Sequence, residues 1–183
     1  MRFRGGGFQV SSLNKGPRKV EVSLKWDPSP FGSPAHDLDI IAATYTVDTP
    51  RGTPAYLVHF DSRSPDGTIT LNRDSRTGQG FGYDEVMTLE LDRLAPTYAR
   101  VVIGVAIQQG QGRKTFGEVP HTAVRILDGD TELLGSDFSG VAGATAATLA
   151  EFRRNGSGEW EFHATVRGFD TDPAAFAGLM GGV

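Results

Sequence analysis

Cysteine is absent from the 183-residue chain, which excludes disulfides and thiolate-bound metals and makes a cytoplasmic setting the natural reading. Histidine is scarce at four residues, so a zinc or copper centre has little to build from. Basic residues do not outnumber acidic ones: 18 against 22 give a net charge of -4. A nucleic-acid partner would want a basic face, and none is implied. Long apolar runs are missing too. The strongest, VVIGVAI at 101–107, falls far short of the roughly 20 residues that span a bilayer. The N-terminus is mildly basic but lacks the apolar core of a secretory signal. Helix signals are few; the clearest is DPAAFAGLMGGV, with Asp172 as N-cap and Pro173 at the first helical position.

What the chain does have is a side-chain period of two. In KVEVSLKW, Val20, Val22, Leu24 and Trp26 face one way and Lys19, Glu21, Ser23 and Lys25 the other. WEFHATV repeats the pattern with Trp160, Phe162, Ala164 and Val166, and so do GTITL, VMTLELD and TAVRIL. YARVVIGVAI is apolar on both faces, as a central strand would be, with Gly104 as a point of close approach. SPDG (64–67), DGD (128–130) and NGSG (155–158) supply turns between the runs. About ten short strands with one or two short helices predict a mainly β fold, a two-sheet antiparallel β-sandwich.

The chemistry concentrates in acids. Asp37 and Asp39 in HDLDI share a strand face about 6.5 Å apart, and two like charges so placed are costly unless water or a cation separates them. A second cluster brackets three alternate glycines in NRDSRTGQGFGYDEV: Asp74 precedes Gly78, Gly80 and Gly82, and Asp84 and Glu85 follow, with Asp61 and Asp66 on the preceding turn. Glycine at positive φ can turn carbonyl oxygens inward, and calcium takes six to eight such oxygen ligands. A hard-cation cage is the coherent reading, and a plain glycine-rich hairpin with solvated acids is the alternative. GQGFG is not GxGxxG and no Walker lysine follows it, so a nucleotide cradle is set aside. The EF-hand order is also missing.

Read in order, SLNKG…VEVSLKWD, DLD, SPDG, D-x-x-TGxGxG-x-DE, RKTFGEV…AVRILD and EFRRNG…WEFHA…GF resemble the tellurium-resistance TerD family. The likeness runs from about residue 8 to the C-terminus, which makes residues 1–7 an N-terminal tail and 8–183 the sandwich domain. It implies a non-enzymatic bacterial stress-response protein that binds Ca2+ through acidic loops. Its partners would be other proteins of the resistance system, membrane-associated ones among them, with no insertion of its own into the membrane. Carried over by position, the implied ligands are Asp37, Asp39, Asp61, Asp74, Gly78, Asp84 and Glu85. Ser75, Gln79, Phe81 and Tyr83 depart from usually polar or acidic family positions, and Arg73 and Arg76 add positive charge; both should lower Ca2+ affinity.

On this reading Ca2+ relieves carboxylate repulsion, orders the glycine loop and completes a partner surface. The rival is a metal-independent interaction module whose loop is held by packing of Phe81 and Tyr83. Catalytic readings are weaker: the four histidines declare no triad, and nothing fixes two carboxyls across a cleft as a glycosidase needs. Trp26 and Trp160 are expected in the core, and Arg153 and Arg154 as solvated strand-end charges.

Overall fold

Strands form where apolar side chains alternate, and their inward faces close on one another. The computed structural model describes residues 16–110 and 112–182. The expected tail at residues 1–7 lies outside them, as does most of the SLNKG motif. Ten strands follow in order: β1 (Lys19–Lys25), β2 (Leu38–Thr46), β3 (Tyr56–Val58), β4 (Ile69–Arg73), β5 (Glu85–Glu90), β6 (Tyr98–Ile107), β7 (Ala123–Asp128), β8 (Thr131–Ser136), β9 (Ala146–Arg154) and β10 (Trp160–Phe169). One sheet has the order β4-β5-β1-β7-β8 and the other β10-β9-β6-β2-β3, with every pairing antiparallel. This is the two-sheet sandwich the sequence predicts.

Val20, Val22 and Leu24 of β1 point into the space between the sheets and meet Leu38, Ile40, Val101 and Ile103 from the other side. Each such side chain contributes about 1.5–3 kcal/mol by leaving water. β2 and β6 are apolar on both faces for a second reason. Their outer residues Ile41, Ala43, Tyr45, Val102 and Ala106 are covered by Phe176 and Met180, from helix α1 (Pro173–Leu179) and the turn after it. Asp172 caps α1 as expected, its Oδ1 accepting the Ala175 N–H at 2.8 Å. Gly104 leaves room for this helix: a Cβ there would lie 2.6 Å from Phe176 Cζ.

Two expectations need correcting. The alternation in WEFHATV stops early, because a register shift between Ala164 and Arg167 turns Val166 outward to 43% exposure. Arg153 and Arg154 are not idle solvated charges. Arg153 pairs with buried Glu151, while Arg154 lies over the Trp160 ring and donates to the carbonyls of Tyr98 and Leu94 at 2.8 and 2.7 Å. The FRRNG-x-G-x-W motif is therefore a clamp across the end of the β9–β10 hairpin. Both tryptophans are core residues, with Trp26 3% and Trp160 4% exposed.

The close approach at Gly104 makes a prediction. Gly104→Ala should cost roughly 1–3 kcal/mol in urea unfolding, the range for overpacking. A Gly104→Ala/Phe176→Ala double variant should lose less than the sum of the two single losses, since the second change removes the clash. Additive losses would contradict the contact.

Candidate metal centre

The strand registers bring several connections to one end of the sandwich. Leu24 pairs with Glu85, Arg73 with Val86, Lys25 with Ala123 and Leu38 with Ile107. Residues 26–37, 74–84 and 108–122 therefore emerge together, beside the turn that follows β3. Glu85 opens β5 at this mouth, and Asp39 is the second residue of β2.

Glu85 begins β5 in one sheet, yet its Oε2 accepts the backbone N–H of Ile40 in the other at 2.8 Å. The residue is fully buried, and Oε1 has no hydrogen-bond partner among the described residues. Asp39 is buried as well; its Oδ2 accepts from Gln108 Nε2 at 2.5 Å. Asp74 follows β4 and stands at the exposed rim. Asp39, Asp74 and Glu85 each offer a carboxylate oxygen, and these oxygens all lie within 4.8 Å of one another.

Three carboxylates this close, two of them buried, cannot all stay charged without a compensating proton or cation. Burial pushes the Glu85 carboxyl up to about 11, helped by Asp74, with which it can bond only by keeping a proton; the Ile40 N–H opposes the shift. Burial also raises Asp39, against the pull of Gln108. Asp37 is lifted to about 6, by burial first and then by Asp39 and Asp74, with Arg76 opposing. The metal-free site thus holds a proton where a cation would serve as well. The donors are all hard oxygens, without histidine or cysteine, and Glu85 Oε1 is left over. That set suits a hard divalent ion.

Other predicted ligands fall elsewhere. Asp37 joins the same electrostatic neighbourhood, and its Oδ1 is likewise buried without a partner among the described residues. Asp84, although adjacent to Glu85, points the other way: its Oδ2 accepts the Trp26 N–H at 2.8 Å and ties the glycine loop to the end of β1. Gly78 has a steric role. It sits at φ +75 against Trp26, where a Cβ would lie 2.5 Å from the indole nitrogen, and its N–H donates to Ser75 Oγ at 3.1 Å. Asp61 is exposed and outside the cluster, its N–H donating to His59 Nδ1.

Of the two aromatics in the rival reading, Phe81 is 97% exposed and does not pack, whereas Tyr83 is half-buried with Lys25 Nζ 6.0 Å over its ring. Gln108 escaped notice in the sequence, since nothing in IQQG marks it. The β2–β6 register places it beside Asp37, whose carbonyl accepts the Gln108 N–H at 2.8 Å.

Fold and site together define a β-sandwich with an acidic, oxygen-only cluster that can hold a metal ion at the mouth between its sheets. The chain belongs to the TerD family: the TerD domain matches residues 3–179. It is 30% identical over 174 residues to tellurium resistance protein TerD of Serratia marcescens, covering 91% of this chain and 88% of that protein. It is 25% identical to general stress protein 16U of Bacillus subtilis over 180 residues, 95% of this chain and 93% of that one. The crystal structure of a homologue of telluride resistance protein (TerD) from Streptomyces coelicolor A3(2) superposes with a TM-score of 0.89 at 61% identity. That match covers 91% of this chain and 98% of that chain.

The raised Glu85 carboxyl sets a direction for stability. The native state keeps a proton that an unfolded glutamate releases near its ordinary value of 4.5, so stability falls as pH rises towards about 11. Between roughly pH 7 and 9, above the Asp37 transition, the metal-free protein should lose up to about 1.4 kcal/mol per pH unit. Glu85→Gln should flatten this slope in denaturant titrations; identical slopes would contradict the assignment.

Proposed function

We propose that this chain is a non-enzymatic stress-response protein that binds Ca2+ at Asp39, Asp74 and Glu85, with Asp37 at the rim. One observation carries the reading. A fully buried carboxylate oxygen, Glu85 Oε1, has no hydrogen-bond partner among the described residues, and it belongs to a carboxylate that has an oxygen within 4.8 Å of an oxygen of Asp39 and of Asp74. Calcium, which accepts irregular oxygen shells, suits this all-oxygen site better than magnesium, which demands a tight octahedral shell and holds its waters. The names of the relatives, tellurium resistance protein and general stress protein, support a stress role in a bacterium.

No described helix is long and apolar enough to cross a membrane. In this proposal the protein works in the cytoplasm through partners of the resistance system. Trp26 and Ser75 already anchor the glycine loop at Gly78, so the ion does not have to fold it. Its effect is local: it replaces the proton on Glu85, draws Asp74 inward and changes the charge of the mouth.

Calorimetric titration with Ca2+ tests this. Asp74→Asn and Glu85→Gln should weaken binding by about tenfold or more, because affinity follows ligand charge, whereas Asp61→Asn should leave it unchanged. At 100 times the dissociation constant, Ca2+ should stabilise the wild type by about 2.7 kcal/mol. No uptake at millimolar Ca2+ would overturn the reading.

A further inference from the structure

A concave pocket of about 460 Å3 lies beside the acidic mouth, between the outer face of β2 and β3 and helix α1. Ile41 and Leu57 line it from the strands, Ala174 and Ala177 from the helix, and Phe60 at its rim. Ala174 and Ala177 are three residues apart and so share one helix face, and their short side chains leave the groove open. Apolar walls and this volume, within the roughly 300–1,000 Å3 of small-molecule sites, mark a pocket for a small ligand.

The charged groups in the pocket are of one sign. Asp39 precedes Ile41 by two residues on β2, so both side chains fall on the same face. It lines the pocket while only 3% exposed. Gln108 Nε2 donates to its Oδ2, and Glu85 bonds to it as well. A carboxylate accepts at about four positions, so a further donor is accommodated. Asp172 is the second lining carboxylate, with one oxygen on the Ala175 N–H. His59 also lines the pocket; among the described residues no lysine or arginine does.

That combination selects the charge of the ligand. An anion would meet two carboxylates and no opposing side chain. A neutral apolar molecule would take water from Asp39 and return no hydrogen bond. An ammonium group on a short apolar body answers both halves of the pocket, its N–H donors meeting carboxylate oxygens while the body covers Ile41, Leu57 and Ala177. A quaternary ammonium has no proton to donate, and Phe60 alone does not make the aromatic cage it favours.

We propose that this pocket binds a small primary amine with a short aliphatic or aryl body. The ammonium sits on Asp39, Asp172 adds to the attraction, and the body lies between β2–β3 and α1. The site stands without the cation proposed above. Because Asp39 is common to both, the test is made in EDTA.

The probe is n-hexylammonium, followed by calorimetry and by methyl NMR of the full chain, with n-hexanol and hexanoate as neutral and anionic comparisons. The expected result is movement of the Ile41 and Leu57 methyl resonances and affinity at least about tenfold above that of hexanol, with hexanoate not binding. Asp39→Asn, whose amide oxygen still accepts from Gln108, should weaken the amine about tenfold. Asp172→Asn, which keeps the helix cap, should weaken it severalfold. Ala174→Phe, at an exposed helix position, should block entry. No binding of the amine at roughly 10 mM would overturn the proposal. Equal affinity for hexanol, or undiminished binding in Asp39→Asn, would overturn the charge pairing. Resonance shifts that spare Ile41 and Leu57, or undiminished binding in Ala174→Phe, would overturn the place. Tighter binding of N-acetyl-lysine methylamide than of n-hexylammonium would assign the pocket to a lysine side chain of a partner protein and overturn the small-amine reading. Each of these outcomes is read without Ca2+ and so leaves the cation site to its own titration.

Discussion

Glu85 begins a strand of one sheet, but its carboxylate accepts a hydrogen bond from the Ile40 backbone of the other. Burying an ionised carboxylate is tolerated only with full compensation, and here one oxygen is satisfied and the other is not. The remainder is met by a proton or by a cation. The molecule's responsive chemistry comes down to that choice. Asp39 and Asp74 are close enough that whatever Glu85 takes, they share.

The sandwich makes this possible because it is rigid where the acids are rooted. Asp39 is buried on β2, paired to Ala106 of β6. Glu85 is paired to Leu24 at the end of β1. Asp74 alone sits where the chain leaves a strand, so it is the member that can move. Asp84 and Trp26 hold the base of the glycine loop, and Phe81 at its tip is exposed. Two buried ligands on rigid strands with a third at the rim make a site whose occupancy is felt outside it.

Much of this was legible in the sequence. Periodicity marked β1, β4, β5, β7 and β10 but not β3, β8 or β9, and the two-faced apolar run around Gly104 correctly marked β6 as a central strand with a close neighbour. The cap Asp172–Pro173 gave α1. The acids were legible as a group but not by role, because sequence shows which residues are near a turn and not which way each side chain points. Asp84 and Glu85 are neighbours that face opposite ways, one towards the loop base and one into the mouth. Asp61 held a plausible position but is tied up in its own turn, and Gln108 entered only through a strand register. Arg154 read as a solvated charge because its partners, backbone carbonyls some 60 residues away, leave no trace in the chain. The bulge in β10 was hidden for a related reason: WEFHATV alternates as a string, and the interruption comes from the pairing.

The most direct test of the account is the ionisation state of Glu85, read from its side-chain carboxyl 13C resonance at neutral pH before and after Ca2+ addition. The account predicts a protonated carboxyl in the metal-free protein that shifts to the ionised position as Ca2+ is added. A Glu85 carboxyl already ionised without metal and unmoved by Ca2+ would contradict it.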